Sequence, residues 1–331
     1  MSHAGDHEGQ ARAAAARRPS THGARRPGRI KVSVIVPCLN AERFLPASLL
    51  SVAAQTLAPY EVIVIDDGST DRSVEIVKSM PMDVKLLRAQ RRGGAGARNL
   101  GLRAARGDWL AFLDADDVWY PNHLQRAAEL IREHDAVGYI NHYDYLTLKG
   151  HDIIRKGCVF GSVVGGIGID DFVRFFTNYR NFVGMSACMV ATDRAIAVGG
   201  FDEGQVRRHD IEFWLRVVDR NRWVFDPVAT SAYRKNVPGG VSADHPSSAL
   251  YRLLAFLKHK DSAEDRARFD ALIRALARSA LAKSYECGGD EDRARAHRTA
   301  FQHLSAKHKA VYGLLKRAPA LFGFFRRAKL T

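Results

Sequence analysis

Apolar positions in the first part of the chain fall into two alternating patterns. Short continuous apolar runs predict buried strands at residues 32–37, 60–65, 84–88 and 109–113. The stretch after each run carries apolar residues at helical spacing, and Asn40 is positioned to cap the first of these helices. Regular alternation of strand and helix is typical of a parallel sheet covered by helices.

The pattern becomes less regular in the middle of the chain and helical at its end. Further strands are expected at residues 136–148, 185–191 and 223–233, and helices at 193–198 and 210–220. The glycines of residues 149–182 favour loops around a short helix at 170–176. Helical periodicity resumes after Pro246 and continues to residue 304. We therefore predict an α/β fold with a mixed, mostly parallel sheet flanked by helices, and a helical C-terminal extension.

Composition adds an uneven charge to this picture. The 331 residues are 46% hydrophobic, enough for a sizeable core, and the net charge is +14. Residues 1–30 contribute +4 and residues 305–331 contribute +7, so the basic character lies mainly at the two ends. Basic ends favour contact with an anionic partner such as a membrane surface or a nucleic acid. We expect a disordered basic tail over residues 1–30, one domain over 31–245 and a helical extension over 246–331.

Cysteine usage and hydropathy point to a cytoplasmic protein. The four cysteines lie far apart and form no Cys-x-x-Cys pair, which argues against disulfides or a zinc site. The basic N-terminal residues lack the apolar core of a signal peptide. The small-residue stretch at 158–169 is too short to span a bilayer.

Three carboxylates follow the strand at residues 109–113. Asp114, Asp116 and Asp117 would emerge at its carboxyl end, where open α/β sheets bind ligands. Such close acids repel one another unless a cation or hydrogen-bond donors separate them, and Mg²⁺ or Mn²⁺ prefers oxygen ligands. The alternative is a solvated acidic turn before the next helix.

Three other clusters carry candidate chemistry. Residues 66–69, Asp-Asp-Gly-Ser, could contact a base or a ribose, or form an ordinary turn with a helix cap. The stretch Gly94-x-Gly96-x-x-Asn99 lacks the third glycine of a dinucleotide fingerprint. Asp210 and Glu212 begin an amphipathic helix, whose dipole favours ionised carboxylates.

Together these segments resemble family 2 glycosyltransferases. The resemblance covers roughly residues 31–245 and rests on six segments in order: residues 34–40, 65–71, 96–101, 113–117, 199–203 and 209–216. It implies the GT-A (Rossmann-like) fold, a nucleotide-sugar donor, a divalent metal (Mn²⁺ or Mg²⁺) and inversion at the anomeric carbon.

The resemblance also assigns roles to individual residues. One group would surround the nucleotide: Pro37 and Asn40 in its pocket, Asp67 at the base, Arg98 nearby, Asp114 toward the ribose, and Asp117 in support. Asp116 would bind the metal. Asp210 would be the catalytic base that removes the proton of the attacking sugar hydroxyl.

This chain departs from the family pattern in two places. His209 stands where the family often has Glu before the base. The family's Tyr-Arg-x-His reads Tyr-Arg-Lys-Asn at residues 233–236, so Arg234 or Lys235 could neutralise the diphosphate instead, or His245 could substitute.

The end of the chain mixes large apolar and basic residues. Residues 312–327 fit a segment that lies in the membrane interface, with rings in the headgroup boundary and cations on anionic lipid. The alternative is a helix that packs its aromatic face on the rest of the protein.

The resulting functional hypothesis is an inverting glycosyltransferase that acts on a hydroxyl of a glycan or lipid-linked acceptor in cell-surface polysaccharide or glycolipid biosynthesis. It would be cytoplasmic and peripheral to the inner face of the membrane, and nucleic acid is not the expected partner. The alternatives are a sugar nucleotidyltransferase and a non-catalytic adaptor that retains the fold.

Overall fold

A computed structural model describes residues 30–147, 153–154, 163–167, 171, 173, 184–218, 221–234, 247–322 and 326. The chain divides into two units, and the second, Lys31–Thr331, holds all but one of the described residues. The expected basic tail, and most of the stretch expected to be loops at 149–182, lie outside the described residues.

One mixed sheet organises the second unit, with strand order β3-β2-β1-β4-β9-β6-β10-β5 among the described residues. Strands β1 to β4 are parallel, whereas β9 is antiparallel to both of its neighbours, β4 and β6. Strand β7 pairs with β6, and β8 pairs with β10. The strands are β1 Val32–Cys38, β2 Glu61–Asp66, β3 Lys85–Arg88, β4 Trp109–Phe112, β5 Val118–Trp119, β6 Gly138–Leu146, β7 Ile153–Ile154, β8 Val163–Ile167, β9 Cys188–Ala191 and β10 Asn221–Arg234.

Helices follow the strands and then continue alone after residue 247. They are α1 Leu45–Ala53, α2 Ser73–Lys78, α3 Gly93–Ala104, α4 His123–Glu133, α5 Thr192–Ala197, α6 His209–Val217, α7 Ser248–Leu257, α8 Arg266–Cys287, α9 Asp290–Ala300 and α10 Ala306–Arg317. The predicted α/β architecture with a helical C-terminal region is confirmed. A continuous core joins the sheet to these last helices through residues such as Trp214, Phe256 and Phe269, each fully buried.

Three local predictions differ from the structure. Asn40 does not cap α1, because its backbone is left-handed (φ 49°) and its side-chain oxygen accepts a hydrogen bond from the Thr70 N–H at 2.8 Å. Strand β8 was predicted as loop on account of its glycines, but pairing with β10 supplies backbone hydrogen bonds that composition does not reveal. The strand expected at 185–191 begins as a 3₁₀ turn, Met185–Ala187.

The basic and apolar C-terminal segment packs some of its large side chains into the protein, whereas most of its other described residues are exposed. Tyr312 and Leu315 of α10 are fully buried, and the Phe322 ring stacks on Tyr285 of α8 with centroids 5.8 Å apart. The interfacial interpretation required the Tyr312 ring to face a membrane, and its burial contradicts that placement. Leu314 and Leu321, in contrast, are exposed. Residues 323–325 lie outside the described residues. In the described part of the chain, no helix is long and apolar enough to cross a membrane.

Gly138 and Gly165 flank Trp223 in the sheet and provide a matched test of packing. Both pair with Trp223 in register, on opposite sides of β10. A Cβ on Gly138 would lie 2.2 Å from the buried indole ring, whereas a Cβ on Gly165 would meet no atom within 4 Å. Since overpacking a rigid core costs about 1–3 kcal/mol, we expect Gly138→Ala to lower the free energy of unfolding by at least that much. Gly165→Ala is the control in the same denaturant titration, and an equal loss in both variants would contradict this account.

Buried His123 should make the protein sensitive to mild acid. The side chain is fully buried, bonds Thr230 Oγ1 at 2.8 Å and stacks on Trp119, and burial lowers its pKa to about 3. In the unfolded chain the imidazole takes up a proton near pH 6.5, so its contribution to stability is full above that pH and declines as the pH falls toward 3. Between pH 7 and pH 5 this loss amounts to about 2 kcal/mol.

The variant His123→Asn keeps a polar atom near the Nδ1 position and removes this titration. We expect it to lower stability at pH 7 but to reduce the decline between pH 7 and pH 5, measured by urea unfolding at both values. An unchanged decline would show that His123 is not the group responsible.

Candidate active site

The carboxyl ends of β1, β2 and β4 open into one cavity of about 540 Å³. Parallel strands place the residues that follow them at one edge of the sheet, which is where open α/β sheets bind ligands. Of the eight residues predicted for the site, the cavity is lined by seven: Pro37, Asn40, Asp67, Arg98, Asp114, Asp116 and Asp210.

Two loops are joined on the side of the cavity predicted to hold the nucleotide. Besides the Asn40–Thr70 bond, the Asp71 carboxylate accepts the Glu42 N–H at 2.9 Å. Asp67 accepts the N–H groups of Arg92 and Gly93, at 2.6 and 2.7 Å, at the start of α3. Asp67 thus caps α3 and also belongs to the lining of the cavity.

Three carboxylates converge after β4. Oxygens of Asp114, Asp116 and Asp117 lie within 4.8 Å of one another, close enough to share one cation. Burial, together with the charge of Asp114, raises the pKa of Asp116 to about 6. A divalent cation would remove this repulsion, and the all-oxygen donor set suits Mg²⁺ or Mn²⁺. The residues present therefore fit a hard metal, which would supply positive charge beside a departing diphosphate.

Asp117 has a different position from the other two acids. Its side chain is only 1% exposed, and its two oxygens accept hydrogen bonds from the Ser186 hydroxyl (2.6 Å) and the Arg234 N–H (2.9 Å). Asp117 is not one of the described residues that line the cavity. Asp117, expected in support of the nucleotide contacts, braces the loop after β4 from behind, because a buried carboxylate is stabilised by such donors.

Arg98 connects the acidic loop to α6. Its guanidinium forms an ion pair with Asp114 and a 2.8 Å hydrogen bond with His209 Nε2. It also donates to the Gly94 carbonyl oxygen at 3.1 Å. A Cβ on Gly94 would lie 2.9 Å from Arg98 Nη1 and 3.1 Å from the imidazole, so this glycine allows the close approach.

The remaining motifs hold α6 in place. The Asn99 side chain donates to the Phe201 carbonyl oxygen (2.8 Å) and accepts the Phe201 N–H (2.7 Å), which fixes the Gly-Gly-Phe turn against α3. Arg216 of α6 donates to the Gly200 carbonyl oxygen and forms a two-point ion pair with Glu212. Glu212 thus supports the helix and does not line the cavity with Asp210.

Asp210 lies in the first turn of α6, half-buried at the cavity. Ionised carboxylates are favoured at a helix N-terminus, which suits a group that must accept a proton. Burial, followed by the charge of Arg98, lowers the pKa of the preceding His209 to about 4. His209 is therefore neutral at neutral pH and adds no positive charge beside Asp210.

Two further residues support the acidic loop: Ser186 carried no clear signal in the sequence, and Arg234 was one of the groups considered for the diphosphate. Ser186 bonds the Asp114 N–H at 3.0 Å as well as Asp117, although it lies far along the chain. Arg234, expected at the diphosphate, donates to the carbonyl oxygens of Asp116 (2.9 Å) and Thr147 (2.8 Å) and lies over the Phe44 ring. Its charge is near the acids, but its side chain does not line the cavity. Lys235, Asn236 and His245 lie outside the described residues.

Known proteins share these features of sequence and fold. A family model described as Glycosyl transferase family 2 matches residues 33–196. The UDP-Glc:alpha-D-GlcNAc-diphosphoundecaprenol beta-1,3-glucosyltransferase WfgD of Escherichia coli is 30% identical over 192 residues, covering 57% of this chain and 70% of WfgD. An uncharacterized glycosyltransferase of Nostoc sp. is 40% identical over 121 residues, which are 35% of this chain and 38% of that protein.

Solved structures of S. aureus TarS share the architecture. TarS 1-349 in complex with UDP has a TM-score of 0.65 and 17% identity, over 91% of this chain and 92% of TarS 1-349. Its complex with UDP-GlcNAc gives a TM-score of 0.64 at 19% identity, over 91% and 88%. At this identity the likeness concerns the fold, and it confirms the expected GT-A architecture. The sequence motifs, the family model and the similarity to WfgD agree: the chain belongs to glycosyl transferase family 2.

Proposed function

We propose that this protein transfers a sugar from a UDP-sugar to a hydroxyl group of a lipid-linked glycan acceptor, with inversion at the anomeric carbon. The observation that carries the proposal is that Asp210 and the acids Asp114 and Asp116 line one cavity. A base for the acceptor and a cation site for the leaving diphosphate are the two charged elements that such a transfer needs.

The donor side would be formed by the joined loops and the acidic cluster. Pro37, Asn40 and Asp67 offer an apolar wall and polar atoms for the nucleoside, and Arg98 connects Asp114 to α6. Asp116 would hold the metal, with Asp114 next to it. The UDP and UDP-GlcNAc complexes of TarS support the choice of a UDP-sugar.

On the acceptor side, Asp210 would accept the proton of the attacking hydroxyl. A hydroxyl is a weak nucleophile, and a positioned base removes its proton as the new bond forms. The name of WfgD, whose acceptor carries a diphosphate on a lipid, supports an acceptor of the same class.

Exposed leucines and basic residues between positions 309 and 321 support a function at a membrane surface. Leu314 and Leu321 are 54% and 45% exposed, and Lys309, Lys316 and Arg317 on the same short segment are also exposed. Apolar side chains flanked by cations favour contact with anionic lipid. This surface would bring the cavity to a lipid-linked acceptor on the cytoplasmic side.

Nucleotide binding provides the decisive experiment. Thermal unfolding is measured with UDP, GDP, TDP and CDP, each with and without Mn²⁺, because a ligand that binds only the folded state raises its apparent stability. We expect a Mn²⁺-dependent increase that is largest for UDP. Release of UDP from a UDP-sugar would then identify transfer, whereas release of pyrophosphate from UTP and a sugar 1-phosphate would identify a nucleotidyltransferase. No increase with any nucleotide, from well-folded protein, would contradict the proposal.

A further inference from the structure

A buried histidine occupies the first position of α6, directly before the proposed base. His209 is 8% exposed, and its Nε2 lies 2.8 Å from Arg98 Nη1. A guanidinium can only donate, so Nε2 must accept, and the imidazole carries its proton on Nδ1. This bond joins residues 111 positions apart in the sequence and links α3 to α6.

The surroundings leave the guanidinium little freedom. The Arg98 side chain is 6% exposed, and its other partners are Asp114 and the Gly94 carbonyl oxygen. The Phe201 ring lies beneath the guanidinium, with its centroid 5.9 Å from the guanidinium carbon, and meets the imidazole edge-to-face at 6.1 Å between centroids. Arg98 is thus fixed between the acid that follows β4 and the imidazole that begins α6.

The imidazole is suited to this acceptor role because it stays neutral. Burial and the neighbouring guanidinium lower its pKa to about 4, so Nε2 keeps its lone pair at neutral pH. A carboxylate at this position would compete with Asp114 for the Arg98 guanidinium. A neutral acceptor leaves the Arg98–Asp114 ion pair intact.

We propose that His209 is a positioning residue: by accepting a hydrogen bond from Arg98, it ties the Asp114 loop to the first turn of α6 and so sets the place of Asp210 relative to the donor. This inference rests on the proposed transfer reaction, because its test measures the rate of that reaction. Misplacement of a catalytic group by about 1 Å can cost on the order of 10²-fold in rate, so the link should affect turnover more than donor binding.

Two amide variants separate this role from simple space-filling. Gln places its terminal amide near the position of Nε2, so the side-chain oxygen of His209→Gln can accept from Arg98. Asn places its amide near the position of Nδ1, and His209→Asn cannot reach. Because loss of this hydrogen bond would allow Asp210 to shift relative to the donor, we expect kcat to fall about ten- to hundred-fold in His209→Asn and much less in His209→Gln. The Kd for UDP with Mn²⁺ should change less than about threefold in both.

His123→Asn is the matched control, since it makes the same change at another buried neutral histidine that does not line the cavity. We expect its kcat per folded molecule to equal that of the unsubstituted protein. Equal losses in the Gln and Asn variants, wild-type activity in both, or a loss of UDP affinity as large as the loss of kcat would each overturn the inference. If the unsubstituted protein itself neither binds UDP nor transfers sugar, the proposed function fails first, and that outcome is distinct from all three.

Discussion

Asp210→Asn should reduce kcat by about 10²–10⁴-fold while leaving the affinity for the nucleotide close to that of the unsubstituted protein. The amide fills the same space in the first turn of α6 but cannot accept the proton of the acceptor hydroxyl. The effect falls on kcat because the base acts in the transition state, and an interaction made only there does not contribute to ground-state binding.

The measurement pairs steady-state release of UDP with a binding titration of UDP and Mn²⁺. Asp270→Asn is the control, since this exposed residue of α8 undergoes the same change of charge without lining the cavity. Transfer that persists in Asp210→Asn at more than a tenth of the original rate would remove Asp210 from the role of base.

Asp116→Asn should abolish the Mn²⁺-dependent part of nucleotide binding and lower turnover on the order of a thousand-fold. A cation that neutralises developing charge contributes several kcal/mol to the transition state, and each 1.36 kcal/mol corresponds to a factor of ten. The substitution also removes one of three repelling acids, so the protein without metal should be at least as stable as before.

Thermal unfolding with UDP, with and without Mn²⁺, tests both expectations in one experiment. Asp83→Asn is the control, because Asp83 is exposed and does not line the cavity. An unchanged Mn²⁺-dependent stabilisation in Asp116→Asn would show that the metal binds elsewhere or does not take part.

Asp117 illustrates where inference from a motif stops. The sequence correctly predicts that acids follow β4, because an apolar run that ends in carboxylates is a local pattern. The sequence does not reveal which of the three acids line the cavity. That choice depends on Ser186 and on the backbone of Arg234, which reach Asp117 from two distant segments and hold it away from the cavity.

Local sequence patterns were sufficient to predict β1 to β4, the helices that follow them, the family, and seven residues that line the cavity, but they missed β5, β7 and β8. They were sufficient there because apolar periodicity and residues at strand ends are local features. The folded chain was needed to show that His209 bonds Arg98, that Asn99 holds Phe201, and that Tyr312 is buried. The physical reason is that a buried polar group must find a partner, and that partner comes from whichever distant segment the packing brings into reach.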